Sequence, residues 1–250
     1  MPVRKGMGGL RFGLAEKVTC AMRVTTSGLM FVTALLWVRA THANESDIRA
    51  ALEPRLGKID SVAKSPVPGI WEVLTGAQMQ YTDEAGRFLF SGPLQDTKTG
   101  KNLTAERQYA LLPLNLAIVQ TRGTGKNVLV TFEDPNCIYC KKLAKELAKI
   151  PDLKLYTFVV PVLGADSQEK ARNIWCASNR AAAWNAQMLE GTAAPKAREG
   201  CDSSALQKSV EVARQLGIRG TPVMYLAGGD VIRGFTDAQK LEQRMKGRNK

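Results

Sequence analysis

Residues Phe132–Leu143 read FEDPNCIYCKKL, and the meaning of the two cysteines in that stretch decides the fold. Cys137 and Cys140 stand with two residues between them, after a run of β-formers (NVLVTF, 127–132) and at the head of a lysine-rich segment. Beyond them Cys140, Leu143, Leu147 and Ile150 recur at spacings of three and four, so a helix here carries them on one apolar stripe. Lys141, Lys145 and Lys149 fall on another, solvated face. Cys140 is therefore expected to face the core and Cys137 to sit exposed at the open N-terminal end. Unpaired N–H groups and the helix dipole at that end favour a thiolate. Disulfide exchange needs this division: Cys137 attacks and forms the mixed disulfide, and Cys140 resolves it. Ile138 and Tyr139 between them carry no charge, so the helix terminus supplies most of the activation.

Other uses of C-x-x-C fit less well. Covalent haem attachment needs His after the second cysteine, where Lys141 stands. Zinc needs two further ligands, and only Cys176 and Cys201 could supply them, if the fold gathered all four sulfurs. A purely structural bridge across C-x-x-C closes a tiny loop and gains little entropy.

The compartment is read from the first forty or so residues. Gly28–Val38 (GLMFVTALLWV) is apolar, follows basic residues such as Arg23, and precedes the small residues Ala40-Thr41-His42-Ala43. This is the pattern of a cleaved export signal over residues 1–43, too short for an ordinary membrane span, although an uncleaved anchor is the competing reading. Met22 opens a compact signal of its own, which makes it an alternative start. The remaining 207 residues are enough for one large or two small domains with real cores. Loss of the leader removes Cys20 and the single histidine, His42. Four cysteines remain, an even number suited to an oxidising compartment but compatible with three pairings. Without histidine, neither Cys-His nor Ser-His catalysis is available. The net charge of +12 falls to +7, from 29 Lys/Arg and 22 Asp/Glu. The charges are scattered except for the basic tail RMKGRNK, so the balance reads as solubility and not as nucleic-acid binding.

Along the chain, Ile48, Leu52 and Leu56 mark an amphipathic helix that ends before SPVPG (65–69). Short β-like runs follow, IWEVLT, MQYTD and FLFSG, separated by turns such as DEAGR, as in a small antiparallel sheet. TKTGKN (97–102) is another turn. Residues 104–121 (TAERQYALLPLNLAIVQT) read as one helix with Thr104 as N-cap and a kink at Pro113, linking two domains. The second half alternates: a strand at NVLVTF, a helix over 137–150, a strand at LKLYTFVVPV, a long helix over 167–188 and another over 203–216. A hairpin of PVMYLA and DVIRGF around Gly228-Gly229 then precedes a closing helix over 237–245. A β-α-β half, helical material and a β-β-α half give the element order of a thioredoxin-like α/β domain with a helical insertion. The expected division is a signal peptide at 1–43, a small N-terminal α+β domain at 44–103, a linker helix at 104–125 and a catalytic domain at 126–250.

A second clue is IRGTPVMYL (218–226). Proline is tolerated at the first residue of a strand or in a tight turn, and an ordinary trans turn is the usual outcome. In the thioredoxin-like arrangement this position abuts the dithiol. A cis Pro222 there lets the backbone of Thr221 pair with an extended substrate strand. Cys176, in an apolar helical stretch, and Cys201, after a loop rich in Pro, Gly and Ala, are read as a structural disulfide in preference to two free thiols. Joining them closes about 26 residues, worth roughly 3.5 kcal/mol in the chain-entropy model.

These residues together resemble the DsbC/DsbG-type periplasmic disulfide isomerases. FEDPNCIYCKKL resembles the active-site strand and helix of that family, and GTPVMYLAGGDVIRGF (220–235) its cis-proline hairpin. NIWCASNRAAAWNAQM (173–188) with Cys201 is similar to its additional disulfide, and residues 69–96 (GIWEVLTGAQMQYTDEAGRFLFSGPLQD) to its dimerisation domain. The pair Ile138-Tyr139 between the cysteines is less familiar there. The resemblance implies a V-shaped homodimer, paired through the N-terminal sheets, with linker helices carrying the catalytic domains. The facing dithiols border an uncharged cleft for misfolded exported proteins. It also implies substrate contact by Thr221, Pro222, Ile138 and Tyr139, and reduction by a membrane thiol transporter of the DsbD type. No cofactor or metal is called for, because the dithiol is the reagent. A DsbA-like oxidase and a holdase chaperone with secondary redox activity are the two other readings of the same parts.

Overall fold

Asn44 opens the first helix of the computed structural model, which describes residues 44–246. The export signal, the alternative start at Met22, Cys20 and His42 lie outside the described residues. The Asn44 side chain accepts from the Asp47 N–H at 3.1 Å, an N-cap for helix α1 (Glu45–Leu56). One face of α1 buries Ile48 and Leu52 against Ile59, Val62, Trp71 and Val73. The last three lie on a four-stranded antiparallel sheet of order β1-β2-β3-β4, formed by Ser61–Lys64, Ile70–Thr75, Gln78–Asp83 and Leu89–Phe90. The short SVAK strand β1 carries too little alternation to be legible in the sequence. It forms because it can pair with Trp71–Leu74 of β2.

The predicted helix over 104–121 divides into three. Helix α2 covers Leu103–Ala110, a 3₁₀ turn covers Leu114–Leu116, and Ile118–Arg122 is strand β5. Pro113 has no N–H to continue the helix, and the β-branched Ile118, Val119 and Thr121 pair antiparallel with the open edge of β7 (Leu153–Val159). Thr104 is not the N-cap. Asn102 accepts from the Ala105 N–H at 2.9 Å instead. The Thr104 hydroxyl pairs with Tyr81 Oη at 2.6 Å and accepts from the Leu94 N–H at 2.7 Å, which ties α2 to the first sheet. The other side of α2 rests on the turn at Gly229, where a Cβ would collide with the Glu106 backbone. A second link joins the two halves at the β2–β3 turn, whose Ala77 N–H donates to Gln215 Oε1 at 2.6 Å.

The second sheet has the order β5-β7-β6-β8-β9, with β6 at Val128–Glu133, β8 at Val223–Leu226 and β9 at Asp230–Arg233. Strands β6 and β7 are parallel and the other pairs antiparallel. One face packs Leu129, Leu155, Met224 and Leu226 against α3 (Ile138–Leu147) and α7 (Ala238–Lys246), through Leu143, Leu147, Leu241 and Met245. The opposite face packs Val130, Phe132, Phe158, Val223 and Tyr225 against α6 (Ser204–Gln215), through Ala213. Phe132 and Phe158 stack there with centroids 4.7 Å apart.

The long helix expected over 167–188 is broken. α4 runs Ala165–Trp175 and α5 runs Arg180–Asn185, continued by a wider turn over Ala186–Glu190. Asn179 sits between them and accepts from the Ala182 N–H at 2.9 Å, a new N-cap. Asparagine favours this role over a helix interior because its side chain competes for backbone donors.

Candidate active site

Strand β6 and helix α3 are joined by Asp134-Pro135-Asn136-Cys137, and this short loop fixes both sulfurs. Cys137 is the N-cap residue of α3, in extended conformation, and its carbonyl accepts from the Lys141 N–H at 3.0 Å. Its thiol donates to the Thr221 carbonyl at 3.3 Å. The Thr221–Pro222 peptide bond is cis, and Pro222 is buried directly ahead of β8. Its own carbonyl accepts from the Gly234 N–H at 2.8 Å, which secures the hairpin. Cys140 lies one turn further along α3 and is fully buried. Cys137 and Cys140 are both free thiols.

Cys137 is less open than its position at a helix tip led one to expect. Only 7% of it is exposed. The loop before β8 folds over the helix end and brings the Thr221 carbonyl onto the sulfur. Exposure instead falls on the two residues between the cysteines, Ile138 at 64% and Tyr139 at 54%. The Lys142 ammonium lies over the Tyr139 ring, 5.4 Å from its centroid.

The two sulfurs differ electrostatically. Burial pushes the Cys140 thiol far up, and the nearby Glu133 carboxylate pushes it further, against smaller opposing contributions from the Asp134 N–H and the Thr221 side chain. A group so placed stays protonated until something accepts its proton. Cys137 holds the helix terminus, with its thiol on the Thr221 carbonyl.

Cys176 and Cys201 are joined to each other, with Cα atoms 6.1 Å apart. The bridge ties the end of α4 to the segment leading into α6, and it uses the two sulfurs that a four-thiolate zinc site would have needed.

Sequence reading passed over the residues that hold the loop. Asp134 is fully buried and saturated: it accepts from the N–H groups of Asn136 (2.7 Å), Val162 (2.8 Å) and Leu163 (3.0 Å) and from the Ser167 hydroxyl (2.6 Å). Asn136 is clasped in turn by Asp166 at 2.7 Å and Lys170 at 2.9 Å. The available signal was Asp-Pro-Asn ahead of a helix, a loop-forming combination. The buried Glu133 gave no such signal, because an acid ending a strand is ordinarily a solvent-facing residue.

Comparison with known proteins gives this architecture its place. Residues 114–248 match the model of a thioredoxin-like domain, and residues 39–105 that of the disulfide bond isomerase protein N-terminal domain. A probable thiol:disulfide interchange protein DsbC of Bordetella parapertussis is 38% identical over 194 residues, covering 75% of this chain and 68% of that one. This chain belongs to the DsbC family of thiol:disulfide interchange proteins. The DsbC of Escherichia coli K12 is 24% identical over 223 residues, covering 86% of this chain and 93% of its own. A disulfide interchange protein from Neisseria gonorrhoeae is a structural neighbour with a TM-score of 0.49 and 32% identity, over 54% of this chain and 97% of that one. The thioredoxin-like fold with an added N-terminal domain, expected from element order, is thus the fold of a DsbC-family member. The thiol-disulfide chemistry expected from C-x-x-C, and the isomerase activity that the resemblance implied, are likewise those of the family.

Proposed function

We propose that this protein is a dimeric isomerase of the bacterial periplasm that rearranges or reduces wrong disulfides in exported proteins. Cys137 attacks the substrate disulfide, the freed substrate thiol attacks elsewhere, and Cys140 releases complexes that stall. The observation that carries the reading is the unequal pair: one sulfur at the N-cap of α3 on the Thr221 carbonyl, its neighbour buried behind it. The backbone of Thr221, ahead of the cis Pro222, lies beside the reacting sulfur, placed to pair with a substrate strand. Ile138 and Tyr139 supply uncharged contact surface.

The chain divides into a signal at 1–43, a dimerisation domain at 44–103, a link made by α2, and a catalytic domain that begins before the expected residue 126, because β5 already belongs to its sheet. The family models, which match residues 39–105 and 114–248, support a division placed between them. Dimerisation through the first sheet accords with its edge: β4 is two residues long, and Phe88 and Phe90 there are 55% and 50% exposed. Apolar side chains at an open edge favour a partner strand. Export accords with the Cys176–Cys201 disulfide, and a DsbD-type membrane reductant would keep Cys137 and Cys140 reduced.

The test is deletion of residues 44–105. The truncated protein is expected to be monomeric by light scattering, to lose rearrangement of a scrambled multi-disulfide protein, and to retain reduction of a simple disulfide. A full-length protein of monomer mass, or an isomerase activity that survives the deletion, overturns the dimeric reading.

A further inference from the structure

The loop after β7, Pro161-Val162-Leu163-Gly164, turns two consecutive apolar side chains to solvent: Val162 is 52% exposed and Leu163 56%. A single exposed apolar residue is ordinary. This pair is held in place by the dithiol's own loop, because both backbone N–H groups donate to Asp134 Oδ2, at 2.8 and 3.0 Å. Asp134 precedes Cys137 in the loop Asp134-Pro135-Asn136-Cys137, and its other oxygen is filled by the Asn136 N–H and the Ser167 hydroxyl. The buried carboxylate thus fixes an apolar bulge against the loop that carries the reacting sulfur.

Val162 is also where a groove begins. Between α4 and α6 lies an open cleft of about 740 Å³ whose apolar lining is Pro161, Val162, Leu206 and Val210. Its volume is in the range that admits a ligand of several side chains. Glu169 and Arg172 of α4, opposite in sign, stand along its polar side. The head of α4 is tied to the dithiol loop a second time, through Asp166 and Lys170 on Asn136, the residue before Cys137. Asp166 and Lys170 pair with each other at 2.7 Å, so this knot sets no unbalanced charge between groove and sulfur. A second exposed apolar pair, Ile138-Tyr139, borders the same loop from α3.

This continuity decides what the groove holds. A thiol:disulfide interchange protein meets its partner chain at the attacking sulfur, and an extended chain advances about 3.3 Å per residue. Residues next to the partner's cysteine therefore reach the groove. Resting on Cys137 as the attacking sulfur, we propose that the groove between α4 and α6 docks the substrate's own chain. The occupant is an extended, unfolded segment beside the reacting cysteine, seated by its aliphatic side chains on Val162, Leu163, Leu206 and Val210. A misfolded protein exposes such segments, whereas a folded one buries most of its aliphatic residues. Because Asp134 fixes the loop before the substrate arrives, little ordering cost falls on the protein. The groove is made by one catalytic domain alone, so each protomer holds its own segment.

The experiment uses the full-length reduced protein and two synthetic peptides, each with one cysteine joined by a disulfide to an aromatic thiol whose thiolate is coloured. One peptide carries Leu and Val on both sides of the cysteine; in the other these are Ser. Cys137 attacks the peptide sulfur, forms the mixed disulfide and expels the coloured thiolate, so the first stopped-flow phase reads adduct formation. The ratio of the two rates cancels any change at the sulfur itself. The unaltered protein is expected to prefer the apolar peptide about tenfold, what burial of roughly one aliphatic side chain supplies. In the double variant Val162→Asn, Leu163→Asn, and separately in Gln207→Trp, which fills the groove from α6, the ratio falls to within about twofold. A preference that survives in both variants, or is absent from the unaltered protein, overturns the groove and leaves Cys137 in its role. No coloured phase with either peptide overturns the exchange reading and this proposal together. A change in the mass of the variants by light scattering means that a second copy of the chain covers the groove, which also overturns the proposal.

Discussion

The two cysteine pairs stand in one domain and divide its labour. Cys176 and Cys201 bridge separate segments, 25 residues apart in sequence, and hold the inserted helices to the path into α6. Cys137 and Cys140 are three residues apart, and both are set by one helix: the first caps it, the second is swallowed by the core beneath it. A bridge over a long loop stabilises by restraining the unfolded chain, and a C-x-x-C pair gains little that way. What distinguishes the short pair is chemical asymmetry, produced by a helix end, a carbonyl contact and a buried acid acting on sulfurs one turn apart. In the proposed reading, sequence separation sorts the bridging from the exchanging cysteines, and position on α3 then assigns the roles within the short pair.

The sharpest way to break the comparison is to exchange the pairs' fates. Cys137→Ser is expected to abolish exchange, a loss of at least about 1,000-fold in thiol-disulfide turnover, with the melting temperature nearly unchanged. Replacing Cys176 and Cys201 together by Ser should do the opposite: exchange persists at low temperature, while stability falls by about 3 kcal/mol, read as a shift in denaturant midpoint. A double variant that loses exchange in its folded state would show that the two pairs are not independent.

An effect of comparable size but electrostatic origin belongs to Glu133. The Glu133 carboxyl is raised to about 7 from an ordinary 4.5. The native state therefore holds a proton that the unfolded chain has released, and stability falls as pH rises between those values. The loss approaches about 3 kcal/mol and is complete above neutral pH. Glu133→Gln is expected to flatten that slope and to be the more stable protein at pH 8, as measured by urea unfolding at several pH values. Smallest of all, Gln215→Ala removes the hydrogen bond that links the two halves at Ala77 and should cost about 1 kcal/mol. Faster proteolysis between residues 97 and 127 is the accompanying sign; an unchanged cleavage rate would mean that α2 alone holds the halves together.

Much of this was legible in the residues. The stripe Cys140-Leu143-Leu147-Ile150 gave helix α3 and its buried face, and all four are buried. Alternation and turn glycines gave the hairpin of β8 and β9. The readings that failed did so where tertiary pairing overrode local pattern. Ile118–Arg122 carried helical periodicity but found the open edge of β7. Residues 176–179 looked continuous with a helix, yet Asn179 starts a second one. The openness of Cys137 was overestimated, because a helix tip reads as exposed until the loop before β8 is laid over it. Glu133 was invisible for a related reason, since only the packed sheet shows which strand end is sealed from water.

The most direct test of the central claim is to trap the covalent intermediate. Cys140→Ser is incubated with a scrambled multi-disulfide protein, free thiols are blocked, and the cross-linked cysteine is mapped by mass spectrometry. The account predicts a mixed disulfide through Cys137, with Cys176 and Cys201 still bridged to each other. Adducts through Cys176 or Cys201, or a Cys137 that alkylates but never cross-links, would contradict it.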